Sequence, residues 1–337
     1  MSLLYELTDE QRELRDVVRR LLADRPAARG PYDGGPLGPD LDLWKVLVEV
    51  GVAGLGIPEE LGGGDGDVVD LAVVAEELGR AVAPVPFVSG AVSAAGLLLA
   101  PEGDERDRWL AGLADGSVVG AAVLEDGPLV YDAAGATLLV VVDEDSVGVL
   151  ARPALEVLPS VDRTRPVARW GRVAASSLTN HRVDVDVLHH LRATLYAAEA
   201  VGVAADALDR TAAHARERRQ FGHPIGTFQA VKHRLADMLV AVESSRSAVY
   251  AAAWALRSGA PAQRRLAVHM AQAVATDAAT KVVSAAIQLH GGIGVTWEHD
   301  LHLRLRRAKA LELTCGAPAW HYGEIARTLL GPVRETT

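Results

Sequence analysis

The sequence predicts a mainly α-helical protein with a small β domain set between two helical regions. Three observations carry that expectation. Apolar residues recur with a helical period up to about residue 115 and again from about residue 187, and the stretch between them breaks into short β-branched runs. The composition joins 49% hydrophobic residues to only 4% aromatic ones, as expected where Ala, Val and Leu pack helices closely around a small sheet. At 337 residues the chain is long enough for two or three structural units around a well-filled core.

The first helix is expected after Thr8, with Gln11 three residues on in the pattern of a capping box, and Leu14, Val17, Val18, Leu21 and Leu22 at helical spacing. PAARGPYDGGPLGPD, residues 26–40, is rich in Pro and Gly and reads as an exposed loop. LDLWKVLVEVGVAG is a second helical stretch, the clustered glycines of GIPEELGGGDGD mark a loop, and VVDLAVVAEELGRAVA resumes the 3.6-residue period. Residues 1–115 therefore read as an N-terminal helical domain. Within 116–186, VVGAAVLE, ATLLVVVDE, SVGVLA and VARWGRVA are short β-branched runs separated by Gly, Asp and Pro, the texture of strands and turns. Residues 187–337 return to the helical period in three long stretches. Phe228, Val231, Leu235, Met238 and Val242 form a seam suited to antiparallel helices, so a helical bundle closes the chain.

With 34 Lys+Arg against 44 Asp+Glu, the formal charge is −10. A field of that sign repels nucleic acid and anionic membrane at long range, so a phosphate ligand needs a local basic spot. The single cysteine, Cys315, allows no intrachain disulfide and no cysteine-based zinc site. The opening MSLLYELTDEQRELRD has acidic groups and no apolar core of a signal peptide, and no apolar run reaches roughly 18 residues, so a cytoplasmic protein is expected. His223, His233, His290, His299 and His302 are too scattered to predict a metal site.

The segment with most chemistry is ERRQFGHPIGTFQAVKHRLADM, residues 217–238. An arginine pair precedes a turn containing Gly222, Pro224 and Gly226, and a new helix follows. Such a junction brings Arg218 and Arg219 near the free N–H groups of a helix start, where guanidinium forks and the helix dipole can act on one pyrophosphate. The same pattern also fits a solvated charge cluster capping a helix. Phe221 and Phe228, taken alone, fit a core, and Gly291, Gly292 and Gly294 fit a helix C-cap and turn. HGGIGV is not a dinucleotide fingerprint, because no strand precedes it.

RRQFGHPIGTFQAVKHRLAD resembles the acyl-CoA dehydrogenase signature, and QLHGGIGV, residues 288–295, resembles that family's second one. LTDEQRELRDVVRRLL, LWKVLVEVGVAGLGIPEELGG and EELGRAVAP are also similar to the family, so the likeness spans most of the chain except its middle. The resemblance implies the acyl-CoA dehydrogenase fold: an N-terminal helical domain, a middle β domain that is shortened here, and a C-terminal four-helix bundle. It implies dimers or dimers of dimers with FAD running between subunits. Arg218 and Gln220 would contact the FAD pyrophosphate and ribose, Phe221 would pack near the cofactor, and Phe228 and Gln229 would line its adenine side. Gln288, Gly291 and Gly292 would approach from the second motif, the glycines letting backbone come close. These residues would serve the FAD of the neighbouring subunit.

The family reaction takes a proton from the α carbon of an acyl-CoA with a carboxylate while hydride leaves the β carbon for the flavin. Here Cys315 stands at the usual glutamate position, within ALELTCGAPAW, and alignment places Arg192 at the alternative one. Glu199, Glu298 and Glu312 are the fallback candidates for a relocated base. The threonine- and serine-containing segment that holds the flavin ring in the family reads AAVLEDGPLVY here. The resemblance therefore implies a subunit without the catalytic base that completes the FAD site of a full-length homologous partner in an α2β2 assembly. This arrangement is similar to the short subunit of the heteromeric acyl-CoA dehydrogenases of bacterial steroid side-chain degradation. The partner would hold most of the acyl-CoA, and electrons would pass to an acceptor like electron-transfer flavoprotein. A homomeric dehydrogenase with a relocated glutamate, or a scaffold subunit without flavin, are the alternatives.

Overall fold

The computed structural model describes residues 6–23, 38–124, 129–143, 146–171, 174–179 and 182–331. Thr8 and Gln11 form the expected capping box, with N–H to side-chain oxygen distances of 3.0 and 3.2 Å, and start α1 (Asp9–Ala23). α2 (Leu41–Glu49) is capped by Asp40, which accepts from the Leu43 N–H at 2.8 Å. Asp67 and Asp70 form a second capping box at the start of α3 (Val68–Ala81). α4 (Phe87–Leu98) and α5 (Asp104–Ala114) complete the first helical region. Most of the Pro/Gly-rich stretch expected as a loop at 26–40 lies outside the described residues.

The middle region contains β1 (Gly120–Val123), β2 (Leu129–Tyr131), β3 (Leu138–Val142), β4 (Val147–Ala151), β5 (Leu155–Leu158), β6 (Val167–Trp170) and β7 (Ser176–Thr179). They form two small sheets, in the orders β1-β3-β4-β7 and β2-β6-β5. Among the described residues only β1 and β3 pair in parallel, with Gly120 opposite Leu138 and Val123 opposite Val141. Ala121, Val123, Val130, Leu139 and Ala168 make a separate small core within this region. The other face of β3 packs on α4, where a Cβ added to Gly96 would stand 3.2 Å from both Val140 and Val142.

The last region runs through α6 (Val185–Glu217), the short strands β8 (Arg219–Gln220) and β9 (His223–Pro224), α7 (Gln229–Ser258), α8 (Pro261–His290), α9 (Leu301–Thr314) and α10 (Pro318–Leu330). Together these elements are mainly α with a small β region, as the sequence predicts. α6 is the central helix, and it meets α3 backbone to backbone. A Cβ on Gly202 would lie 1.9 Å from the Glu76 carbonyl oxygen, and one on Gly79 would lie 2.2 Å from that of Glu199. The seam on α7 is buried at Met238 and Val242, half-buried at Val231 and Leu235, and open at Phe228. It therefore loosens toward the helix N-terminus, and on other faces, between the buried Met238 and Val242, Leu239 and Val240 are exposed.

Candidate functional site

The arginine motif sits on the turn between α6 and α7. α6 ends where Arg218 turns to an extended conformation; its N–H donates to the His214 carbonyl at 2.8 Å, and its own carbonyl accepts from Ile225 at 2.7 Å. β8 and β9 then form a hairpin whose two turn residues, Phe221 (φ 51°) and Gly222 (φ 80°), both have positive φ, as a type I′ turn requires. Glycine adopts that conformation freely, but for phenylalanine it is a costly one. The turn nevertheless holds Phe221 90% exposed, with its ring edge-on to Phe228 at 6.2 Å. The side chains of Arg218 and Arg219 have no ion-pair or hydrogen-bond partner among the described residues, and Gln220 donates only to the neighbouring Arg219 carbonyl. Gln229 opens α7, whose N-terminus has no side-chain cap.

The second motif is brought to the same end of the bundle. His214, one turn from the end of α6, stacks on His290, the last residue of α8, with ring centroids 4.2 Å apart. Gln288 is exposed on that last turn of α8, and the chain then enters the tight GGIGV turn. Its glycines answer to different constraints. Gly294 is needed for packing, because a Cβ there would stand 2.7 Å from the Ile287 carbonyl oxygen. Gly291 has φ 65°, which favours glycine. At Gly292 neither reason applies: φ is not positive and a Cβ would meet nothing within 4 Å. His299 also reaches the His290 ring, at 4.6 Å, although the sequence spacing does not suggest it. Among the described residues, no group of three or more His, Cys, Asp or Glu is arranged to hold a metal ion.

Cys315 and Arg192, far apart in sequence, line one cleft of about 610 Å³ between α6, α8 and the α9–α10 junction. Cys315 is half-buried at the C-cap of α9. Across the cleft, the Nδ1 atoms of His269 and His321 lie 2.8 Å apart. Burial, and then the adjacent His269, push the His321 pKa down to about 4, against an opposing pull from the Cys315 and Gly316 backbone. Arg192 borders a second space as well, a void of about 20 Å³ walled by α4, Tyr196, Ala122, Leu124, Leu129 and Tyr131. That void abuts the described parts of the segment AAVLEDGPLVY, residues 121–124 and 129–131. The cleft histidines come from three separate elements, so no local sequence signal could group them.

None of the three fallback glutamates lines the cleft. Glu199 is 2% exposed and held by Arg165 through two 2.5 Å contacts, with Arg307 at 3.7 Å. It belongs to a buried ionic cluster joining the β region to the bundle. Arg165 also pairs with Asp132 at 2.8 Å, the Tyr196 hydroxyl donates to Asp132 at 3.1 Å, and Arg307 pairs with Asp162. Burial opposes charge on Arg165, but Asp132 and Glu199 outweigh it and hold its pKa well above the arginine range. Burial raises the pKa of Asp132, whereas for Asp162 it is outweighed by Arg307 and Thr164, leaving that carboxyl below its usual value. Glu298 is exposed. Glu312 accepts from Thr280 at 2.9 Å and Lys309 at 2.7 Å, and these contacts lower its pKa despite partial burial.

The profile for the acyl-CoA dehydrogenase N-terminal domain matches residues 8–117, and that for the C-terminal domain matches 182–330. The chain is 38% identical over 303 residues to Acyl-CoA dehydrogenase IpdE2 of Mycobacterium tuberculosis, covering 89% of this chain and 91% of the relative. It is 35% identical over 316 residues to IpdE2 of Mycolicibacterium smegmatis, covering 93% and 96%. The Tcur3481-Tcur3483 steroid ACAD G363A variant superposes with a TM-score of 0.84 at 26% identity, over 96% of this chain and 98% of that one. The ChsE4-ChsE5 complex from Mycobacterium tuberculosis shares the fold, with a TM-score of 0.85 at 23% identity, over 98% and 100%. The chain belongs to the acyl-CoA dehydrogenase family, a family of oxidoreductases whose cofactor is FAD.

Proposed function

We propose that this chain is the non-catalytic subunit of a heteromeric acyl-CoA dehydrogenase, presenting a cradle for the ADP half of an FAD whose flavin ring lies in a full-length homologous partner. The observation that carries this reading is the contrast between two places in the chain. At the bundle end, unpaired guanidinium groups, an uncapped helix start and open space over Gly291 and Gly292 all face outward. At the junction of the β region with α4 and α6, by contrast, the described residues line a void of about 20 Å³, far below the few hundred Å³ of a ligand-sized pocket. The described residues thus offer contacts suited to the ADP half of FAD, and the reading assigns the ring to the partner.

FAD, when bound, takes hydride from the β carbon of an acyl-CoA while a base removes the α proton. The part of this chain is to bind and orient. The fork of Arg218 suits pyrophosphate oxygens, Gln220, Gln229 and Gln288 offer amide groups to ribose and adenine, and Phe221 and Phe228 give apolar faces. The ring pocket and the glutamate come from the partner. A base within this chain is disfavoured because Glu199 is locked between two arginines, while Glu298 and Glu312 lie away from the cleft that holds Arg192 and Cys315. The Tcur3481-Tcur3483 steroid ACAD, whose name joins two proteins, supports a two-chain enzyme acting on a steroid-derived acyl-CoA; an α2β2 stoichiometry, a cytoplasmic setting and an acceptor like electron-transfer flavoprotein are further parts of the same proposal. In such a complex, Arg218→Ala is expected to weaken FAD retention at least about tenfold, the value of one charge-assisted contact. Flavin absorbance after gel filtration reads the effect, and full retention in Arg218→Ala and Gln288→Ala together would refute the cross-subunit cradle.

A further inference from the structure

We propose that His214, His290 and His299 form a pH-sensitive clasp that positions the arginine turn against the GGIGV turn and lets go when more than one of the three rings is charged. The clasp belongs wholly to this chain, and only its consequence for the cofactor rests on the shared-cradle reading above. The His214 and His290 rings stack at 4.2 Å with 20° between their planes, and His299 meets His290 at 4.6 Å. Each motif hangs on one of these residues. The His214 carbonyl accepts from the Arg218 N–H at 2.8 Å and the Arg218 carbonyl from Ile225 at 2.7 Å, which fixes the arginine hairpin to the last turn of α6. The GGIGV turn folds over His290, where a Cβ on Gly294 would stand 3.0 Å from the His290 Cβ.

Hydrogen bonding fixes where a proton can go. Nδ1 of His290 lies 2.8 Å from the Ala286 carbonyl, which can only accept, so this nitrogen carries hydrogen and Nε2 is the position left for a further proton. Nδ1 of His299 instead accepts from the Leu301 N–H at 3.3 Å, at the start of α9. A charged His299 holds hydrogen on both nitrogens, so this contact is lost when the ring is protonated. His302 donates to the His299 carbonyl at 2.7 Å, a bond that the charge of the His299 ring leaves intact.

Charged groups reach the clasp from the neighbouring elements. α6 presents Arg210, Glu217 and Arg218, and α9 with the residue before it presents Arg304 and Asp300. Residues 225–227 and 291–295 contain no titratable side chain. Arg210 and Arg304 share Asp206, so the surroundings hold cations that are partly neutralised. One charged ring can face a neutral one, as a cation faces an aromatic ring, but two charged rings at 4.2 Å repel. Burial, then His290 and Arg218, lower the pKa of His214 against a pull from Glu217. Burial, then His290, lower that of His299 against a pull from Asp300. The closed clasp therefore resists protons that open histidines take up near 6.5. Its stability is complete above that pH and declines as pH falls below it.

The test is amide hydrogen exchange of the full chain at about pH 7.5 and about pH 5.5, read by mass spectrometry as protection over the unstructured rate at each pH. Protection of the peptides spanning 214–228 and 287–301 should fall several-fold at the lower pH, while that of β3 and β4 stays level. His214→Phe keeps a flat ring in the stack that cannot charge, and His299→Gln lies at a half-exposed position. Each should shrink the fall, an effect that loss of a merely packed ring would not produce. Equal protection at both pH values, or an undiminished fall in the folded variants, would overturn the clasp. In the complex with a full-length homologous partner, FAD retention should drop across the same interval, and drop less in His214→Phe. Retention independent of pH while exchange opens would overturn the link to the cofactor. Absence of FAD at every pH would instead overturn the shared-cradle reading, with the exchange result alone deciding the clasp.

Discussion

Gly79 and Gly202 set how closely α3 and α6 approach, and neither can be read as essential from sequence, where each is only a glycine inside a helical pattern. A single methyl at 202 would overlap the Glu76 carbonyl, so Gly202→Ala should cost about 3 kcal/mol and lower the thermal midpoint by several degrees. The cluster around Glu199 is equally exacting. Arg165→Met leaves Asp132 and Glu199 buried beside an apolar chain, and a loss of about 3–5 kcal/mol is expected in denaturant unfolding. His321 gives the chain an acid sensitivity of known sign. The unfolded chain takes up the proton near 6.5 whereas the folded state resists it down to about 4, so stability falls as pH drops through that window and is unaffected by this group above it. Thermal midpoints of His321→Asn should accordingly show a shallower decline between those values. On the proposed reading, Cys315→Glu adds a carboxylate to the cleft without supplying a site for the flavin ring. The lone variant should stay inactive with acyl-CoA in a dye-reduction assay, and measurable turnover would place the missing function at this one residue.

At the scale of elements, legibility followed exposure. α1, α2 and α3 show a polar face or a capping signal and are visible in the sequence. α4, FVSGAVSAAGLL, is buried by the β region on one side and α6 on the other, so it lacks the polar face that makes a helix period readable. The β-branched runs mark β1, β3 and β4, which are largely buried, and β6, which buries only Ala168, but β2, β5 and β7 are short and half-exposed and carry little pattern. For the site, the arginine motif and the GGIGV turn could be located in sequence, whereas their meeting through His214 and His290 could not, because more than 70 residues separate those rings. The cleft around His269 and His321 is a product of tertiary packing alone. The exposed face at the start of α7 belongs to the same lesson: periodicity identifies an apolar seam but not what covers it.

For the whole molecule, a net charge of −10 coexists with a basic, aromatic end of the bundle carrying Arg218, Arg219, Phe221 and Phe228. Such an end is expected to gain order and stability when a partner and its cofactor cover it. The heteromeric complex should therefore unfold at a higher temperature with FAD than without it, and Arg218→Ala should reduce that difference. The most direct measurement is the flavin content and acyl-CoA dehydrogenase activity of this chain purified alone and after coexpression with a full-length homologue. Flavin and turnover are expected only in the complex, at one FAD per heterodimer; stoichiometric FAD with activity in the lone chain would rule out a shared cofactor site.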